Sequence, residues 1–265
     1  MTTSARFRAA YAEHRAAEGR GIGAAELLAL PYPRAGPWVR QWRVRARTYE
    51  RFLDRVVTAR EREVSRALTI LDLGAGNGWL CYRLARRGHL AVALDWRHDA
   101  VDGLGAATGH EGHLPAMFPR VAASFQSLPL RARGFDIVVF NAAVHYAVNL
   151  EQAITEAARV ATPGGRVVIL DSPFYATAAD GERMVADKRD AMVRDLGERA
   201  SDLLSLPVIE YLTRDRLAAA SVGAGLTWRR HRVWYPLWYE LRALSARVRG
   251  TRAPSRFDLW EAAVG

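Results

Sequence analysis

The sequence has very few of the residues that mark several classes of protein. Cys81 is the one cysteine among 265 residues, which excludes an intrachain disulfide and a cysteine-rich zinc site. No apolar run approaches the roughly 20 residues that a membrane-spanning helix needs. The first residues also lack the apolar region of a signal peptide. We therefore expect a cytoplasmic protein without a membrane span.

Lysine is almost absent as well, since Lys188 is the single lysine and every other basic residue is arginine. This bias indicates a GC-rich coding genome, so the arginine count alone does not indicate RNA binding. The net charge of +10 is concentrated at the two ends, with +7 over residues 1–66, +6 over residues 213–265 and −3 between them. These basic flanks suit an anionic partner, such as a nucleic acid, a phosphorylated carrier or substrate, or a lipid surface. A solvated, arginine-rich surface is the alternative.

An apolar fraction of 50% over 265 residues is enough for a sizeable core, in one large domain or in a domain with a cap. Residues 5–30 have a helical composition that ends near Pro31. Trp38 begins a second helical stretch, in which aromatic residues follow helical spacing and arginines occupy the other faces. We therefore predict an N-terminal helical extension over residues 1–66 and a main domain over residues 67–265.

The stretch 68–80, L-T-I-L-D-L-G-A-G-N-G-W-L, combines a short apolar run, a glycine cluster and the start of an amphipathic segment. This pattern predicts a buried strand, a tight turn and a helix start. Glycines at 74, 76 and 78 permit positive φ and let backbone N–H groups approach a ligand closely. The dinucleotide fingerprint G-x-G-x-x-G fails, because its third glycine would fall on Trp79. A Rossmann-type turn that binds nothing is the structural alternative.

The segment 72–78, D-L-G-A-G-N-G, resembles motif I (D-x-G-x-G-x-G) of the class I S-adenosylmethionine-dependent methyltransferases. Four later segments match the family in the same order: 90–95 (L-A-V-A-L-D), 123–130 (A-S-F-Q-S-L-P-L), 135–141 (F-D-I-V-V-F-N) and 163–169 (P-G-G-R-V-V-I). Five ordered matches are far more specific than any one of them.

The resemblance implies an α/β fold, with a Rossmann-like seven-stranded sheet and helices on both of its faces. The N-terminal helical extension and a lid-like insertion after strand five would complete it, and the inserted segments are 172–211 and 236–254. In the family, leading helices cover the cofactor or form part of the substrate pocket. The implied cofactor is S-adenosyl-L-methionine, with S-adenosyl-L-homocysteine as the product.

Several positions are candidates for holding this cofactor. Asp95 ends the second apolar run, where an acid suits the two ribose hydroxyls of a nucleoside; a helix-capping aspartate is the alternative. Trp96 follows where family members often stack an apolar side chain on adenine. Ser124 stands where the family has aspartate, so the serine or backbone would replace the usual carboxylate contact to the adenine amine. The predicted cofactor-binding residues are Asp72, Gly74, Ala75, Gly76, Asp95, Trp96, Ser124, Phe125 and Asn141.

The methyl acceptor is expected at the carboxyl ends of the strands, near the central crevice where ligands sit in open α/β folds. The sequence after Asn141, A-A-V-H-Y-A, is not the N-P-P-Y or D-P-P-Y motif and resembles the S-x-x-x-H region of small-molecule methyltransferases. His145 has the pKa range of a general base, and packing at a helix start is its alternative role. The predicted catalytic residues are His145 and Tyr146. The predicted substrate-binding residues are Tyr49, His145, Tyr146, Pro173, Phe174, Tyr175 and Trp238.

Tyr49 or an arginine of its helix could instead meet the methionine carboxylate. The leading hypothesis is a methyltransferase that acts on a small molecule or biosynthetic intermediate, with an acceptor that could be anionic. One alternative is an RNA or protein methyltransferase that uses the basic flanks, although a nucleic acid is not the favoured partner. The other is a non-catalytic relative that binds the nucleoside. The sequence contains no metal-ligand pattern.

Overall fold

A computed structural model of the protein describes residues 3–19 and 21–265. Its seven strands are β1 (Thr69–Leu73), β2 (Leu90–Asp95), β3 (Arg120–Ala122), β4 (Phe135–Asn141), β5 (Ala161–Leu170), β6 (Trp228–His231) and β7 (Leu259–Ala263). They form one sheet in the order β3-β2-β1-β4-β5-β7-β6. The first five strands are parallel, whereas β7 runs antiparallel to both β5 and β6.

Eleven α-helices are present in the described residues. They are α1 (Thr3–Ala17), α2 (Ala24–Ala29), α3 (Val39–Phe52), α4 (Thr58–Val64), α5 (Trp79–Ala85), α6 (Leu150–Val160), α7 (Ala178–Leu196), α8 (Ala200–Leu203), α9 (Arg214–Ala220), α10 (Leu237–Glu240) and α11 (Arg242–Val248). A π-helical turn, Leu53–Val57, joins α3 to α4. The continuous helix predicted over residues 5–30 is wrong, because a glycine-containing stretch that includes Gly19, Gly21 and Gly23 separates α1 from α2.

The sheet has a hydrophobic core on each face, as alternation along a strand requires. On one face Ile70 packs with side chains of α3 and α5, among them Phe52 and Leu84. On the other face Leu71 packs with side chains of α6 and α9, such as Ile154. The predicted seven-stranded α/β sheet with helices on both faces is therefore confirmed.

The chain has two long segments after β5, one between β5 and β6 and one between β6 and β7. Helices α7 and α8 lie within the first predicted insertion, 172–211. Thr213 caps α9, because its hydroxyl accepts the backbone N–H of Arg216 at 3.1 Å. Helices α10 and α11 lie within the second insertion, 236–254. Among the described residues, none of the helices combines the length and apolar character that a membrane crossing requires.

The strand order reverses next to β1. After β1 the chain builds β2 and β3 on one side, and then returns to place β4 on the other. In open α/β sheets this reversal opens a crevice at the carboxyl ends of the two central strands. The loops that follow β1, β2 and β4 therefore converge on one edge of the sheet.

Candidate functional site

The glycine loop after β1 is held in a conformation that glycine favours. Gly74, Gly76 and Gly78 have φ values of 77°, 53° and 73°. A Cβ atom on Gly74 would lie only 2.4 Å from the Cβ of Ala143. The N–H groups of Gly74 and Ala75 both donate to the carbonyl of Leu94, at 2.7 and 3.0 Å. The loop is thus tied to the end of β2 and passes close to the chain after β4.

Asp95 lies directly beside this loop. Its Oδ2 accepts the N–H of Gly76 and its Oδ1 accepts the N–H of Arg97, each at 2.8 Å. Burial raises the pKa of Asp95, and the two backbone donors oppose that shift because they stabilise the charged form. Each carboxylate oxygen can still accept a further hydrogen bond from a ligand.

Asp72 is more deeply placed than Asp95. It is fully buried, its Oδ2 accepts only the weak thiol donor of Cys81 at 3.9 Å, and its Oδ1 has no partner among the described residues. Burial, with the nearby charge of Asp95, raises the pKa of Asp72 to about 8. Asp72 therefore carries a proton at neutral pH and lies outside the lining of the cavity described next.

A cavity of about 380 Å³ opens at the crevice. Ten of the predicted site residues line it: Gly74, Ala75, Gly76, Asp95, Trp96, Phe125, Asn141, His145, Tyr146 and Pro173. They come from the loops after β1, β2, β4 and β5 and from the turn after β3. The structure therefore brings together residues that lie as much as 99 positions apart in the sequence.

Six predicted site residues do not line the cavity: Asp72, Ser124, Tyr49, Phe174, Tyr175 and Trp238. Ser124 is exposed, and its hydroxyl accepts the N–H of Gln126 at 3.2 Å within a turn. Tyr49 packs edge-on against Trp79 in the core, with ring centroids 5.6 Å apart. The side chain of Ser124 therefore belongs to a local turn, and that of Tyr49 belongs to the core.

The other three aromatic residues, Phe174, Tyr175 and Trp238, pack away from the cavity. Phe174 stacks on Trp260, at a centroid distance of 4.7 Å, in the core of the opposite face. Tyr175 packs against Tyr211 at 6.0 Å. Trp238 lies under the guanidinium of Arg40, 4.8 Å from its ring centroid, and lines a separate shallow depression near α11.

Helix α1 closes one side of the cavity through three residues spaced four apart, Phe7, Tyr11 and Arg15. The ring of Phe7 lies 5.7 Å from that of Trp96. The hydroxyl of Tyr11 donates to the hydroxyl of Tyr146 at 3.0 Å. Nε of Arg15 donates to a carboxylate oxygen of Asp102 at 2.8 Å. Aromatic packing and one ion pair therefore hold this helix over the crevice.

Helix α3 supplies a second wall and one cation. Nε of Arg45 donates to Oδ2 of Asp171, and its Nη2 donates to Oδ1 of Asn141, both at 3.3 Å. The guanidinium also lies over the ring of Trp42, 4.5 Å from the centroid. Arg45 is thus the arginine of α3 that lines the cavity, next to Asn141.

Comparison with known proteins agrees with these features. A family model described as "Methyltransferase domain" matches residues 71–169. Residues 71–169 of this chain are therefore similar to a methyltransferase domain.

Two curated relatives and one solved structure illustrate the match. A malonyl-[acyl-carrier protein] O-methyltransferase of Erwinia pyrifoliae is 30% identical over 146 residues, which are 54% of this chain and 50% of that protein. An uncharacterised methyltransferase of Mycobacterium tuberculosis is 35% identical over 132 residues, 50% of this chain and 46% of that protein. The chain thus spans about half the length of these relatives. An O-methyltransferase family protein from Burkholderia thailandensis shares the fold, with a TM-score of 0.51, 18% identity, and coverage of 85% of this chain and 59% of that one.

His145 is half-buried in the lining of the cavity. Its Nδ1 lies 3.3 Å from the hydroxyl of Ser172, and its ring packs 4.3 Å from that of Tyr146. Burial, together with the positive charges of Lys188 and Arg45, lowers the pKa of His145 to about 3. The imidazole is therefore neutral at physiological pH, and accepting a proton costs more than it does for an exposed histidine.

The resemblance led us to expect a leading helix at the site, but the sequence did not identify the residues of α1 that line the cavity. Their spacing places Phe7, Tyr11 and Arg15 on one helical face. That spacing does not indicate which part of the protein the face covers. Within residues 3–19 and 21–265, no group of three histidine, cysteine or acidic residues could hold a metal ion.

Proposed function

We propose that this chain binds S-adenosyl-L-methionine in the cavity and transfers its methyl group to a small-molecule acceptor, leaving S-adenosyl-L-homocysteine. The observation that carries the proposal is the pairing of Asp95 with the glycine loop. A buried carboxylate, oriented by the N–H of Gly76, lies where a backbone without Cβ atoms lets a ligand approach closely.

The residues present fit the chemistry of this cofactor. Asp95 offers acceptors for the two ribose hydroxyls, and Trp96 and Phe125 offer apolar surfaces for adenine. The glycine loop and Arg45 suit the methionine end, because backbone N–H groups and a guanidinium both bind a carboxylate. Arg45 is already paired with Asp171, so binding a carboxylate there would share the cation between two acceptors.

When bound, S-adenosyl-L-methionine would supply a methyl group that its sulfonium activates for transfer. The protein's part is to align the acceptor with that methyl group and to exclude water. The aromatic side chains on α1 and α3 suit the second task. Tyr146 and neutral His145 suit the first, by hydrogen bonding to the acceptor. The low pKa of His145 favours orientation over strong general-base catalysis.

Enclosure of the cavity favours a small acceptor over a folded RNA or protein. Helix α1 covers the crevice, and Tyr11 meets Tyr146 over it. An acyl group on a carrier protein is the acceptor class that the name of the Erwinia pyrifoliae relative suggests, and its end could enter such a cavity.

Calorimetric titration tests the proposal without knowledge of the acceptor. We expect S-adenosyl-L-methionine and S-adenosyl-L-homocysteine to bind with micromolar affinity, about −8 kcal/mol. Asp95→Ala should weaken both about tenfold or more, whereas Asp54→Ala, at an exposed helical carboxylate, should not. Failure of the wild-type protein to bind either compound would refute the proposal. Thermal melting of the variants separates loss of binding from loss of fold.

A further inference from the structure

An exposed apolar stripe runs along the surface helix formed by α10 and α11. Its members are Leu237, Leu241, Leu244 and Val248, which are 71%, 47%, 59% and 79% exposed. The spacing of four, three and four residues puts them on one face. The N–H of Leu241 donates to the carbonyl of Leu237 and that of Ser245 donates to the carbonyl of Leu241, so helical hydrogen bonding continues across the junction.

The opposite side of this helix is anchored to the body of the protein. Tyr239 is buried, and the guanidinium of Arg242 lies over its ring and donates to the carbonyl of Ser255 at 2.9 Å. Glu240 is held by Arg256 at 2.9 Å. These contacts fix the rotation of the helix about its own axis, so that the apolar stripe faces solvent.

Exposed cations flank the apolar stripe. Arg247 and Arg249 lie on the same helix and just after it, and in the described part of the chain neither forms an ion pair. Arg232 lies 4.1 Å over the ring of Trp234, which is itself 66% exposed. The one acid of the helix, Glu240, is already neutralised by Arg256. The surface that carries the apolar stripe is thus positively charged.

We propose that this helix docks on an anionic lipid surface, with the apolar stripe inserted among the acyl chains and the arginines among the headgroups. The combination of leucine, valine, tryptophan and unpaired arginine on a surface helix is that of interfacial helices. The inference does not depend on the methyltransferase proposal, because none of these residues lines the cavity.

A second copy of the chain fits this surface less well. In a two-fold dimer the same patch meets itself, so Arg247 and Arg249 would face their own copies. Four side chains on one convex helix are also far fewer than the roughly 20–30 residues per side of a stable interface. An anionic partner removes the repulsion, and a lipid surface needs no complementary groove.

Vesicle flotation provides the test. We expect the wild-type protein to float with phosphatidylcholine vesicles that contain about 30% phosphatidylglycerol at about 50 mM salt, and to detach as salt screens the attraction. Vesicles of phosphatidylcholine alone should bind much less. Leu241→Glu/Leu244→Glu should weaken binding to the anionic vesicles about tenfold or more. The matched control, Val193→Glu/Val222→Glu, adds the same charges at exposed apolar positions elsewhere and should fall by far less.

The arginines are tested separately. Arg247→Ala/Arg249→Ala should weaken vesicle binding by about 25-fold, since each cation near such a surface contributes about fivefold. Arg189→Ala/Arg194→Ala removes the same charge from α7 and should have a small effect. Absence of wild-type binding, or equal binding by the stripe variant and its control, would overturn the proposal. So would a dimer in light scattering that Leu241→Glu/Leu244→Glu dissociates. Unchanged S-adenosyl-L-homocysteine affinity in every variant would show that the cavity is intact.

Discussion

At the scale of single residues, Gly74 is required both by the backbone conformation of the site and by its close packing. It combines a φ of 77° with a neighbour, Ala143, that leaves no room for a Cβ atom. Gly88 has a similar φ of 88° and no atom within 4 Å of the position of its missing Cβ. A substitution at Gly88 therefore tests backbone strain alone, whereas a substitution at Gly74 tests backbone strain together with a steric clash.

We expect Gly88→Ala to lower the free energy of unfolding by about 1–2 kcal/mol, the cost of a left-handed alanine. Gly74→Ala should cost a further ~1–3 kcal/mol, because Ala143 must move. It should also weaken S-adenosyl-L-homocysteine binding about tenfold or more. Urea denaturation and calorimetry measure the two effects. Equal destabilisation by both substitutions would contradict the packing described here.

Asp72 gives the protein a specific pH dependence of stability. Its pKa is about 8 in the folded protein and near 4 in the unfolded chain. Between these values the folded state holds a proton that the unfolded state has lost, so the free energy of unfolding falls as pH rises. The contribution of Asp72 to the free energy of unfolding is complete below about pH 4 and is lost by about pH 8.

Asp72→Asn removes this titration. We expect the variant to gain stability relative to the wild-type protein as pH rises from about 4 to 8, reaching about 2–5 kcal/mol. Urea unfolding at a series of pH values measures the difference. Asp54→Asn, at a largely exposed carboxylate, is the control and should show no such trend. A constant difference between Asp72→Asn and the wild-type protein across this range would show that Asp72 is ionised when folded.

At the scale of elements, α1 acts on the site through one face only. Phe7 and Tyr11 point to Trp96 and Tyr146, whereas Glu13 on the same helix is exposed. We expect Phe7→Ala/Tyr11→Ala to speed the release of S-adenosyl-L-methionine about tenfold, because the cavity loses its cover. Stopped-flow fluorescence measures the rate. Glu13→Ala should leave it unchanged, and an equal effect of both variants would indicate that α1 acts only through general stability.

The strands and the glycine loop were predictable because their signals are local. Runs such as Leu90–Asp95 are continuous, apolar up to the final aspartate and mostly buried, and glycines mark the turn after β1. The directions in which individual side chains point were less predictable. Tyr49 lies on a helix that does wall the cavity, yet it points into the core, since rotation about the helix axis is set by tertiary packing. Ser124 turned to its own backbone, as small polar residues in turns often do.

At the scale of the whole molecule, the N-terminal helices and the sheet share one core. Trp42, Tyr49 and Phe52 belong to the same buried cluster as Ile70 and Ile137 of the central strands. The sequence predicted a boundary between residues 1–66 and 67–265, with the first part as an extension. Shared burial argues that this boundary separates regions of sequence rather than units that fold independently.

Scanning calorimetry of the full chain tests this argument. We expect one transition whose calorimetric and van't Hoff enthalpies agree. S-adenosyl-L-homocysteine at about 100 times its Kd should add about 2.7 kcal/mol by mass action and raise the Tm by about 5–10 °C. Because the cavity is built from α1, α3 and the strand ends together, the whole transition should move as one. Two transitions, of which the ligand shifts only one, would instead favour an N-terminal unit that folds and unfolds separately from the sheet.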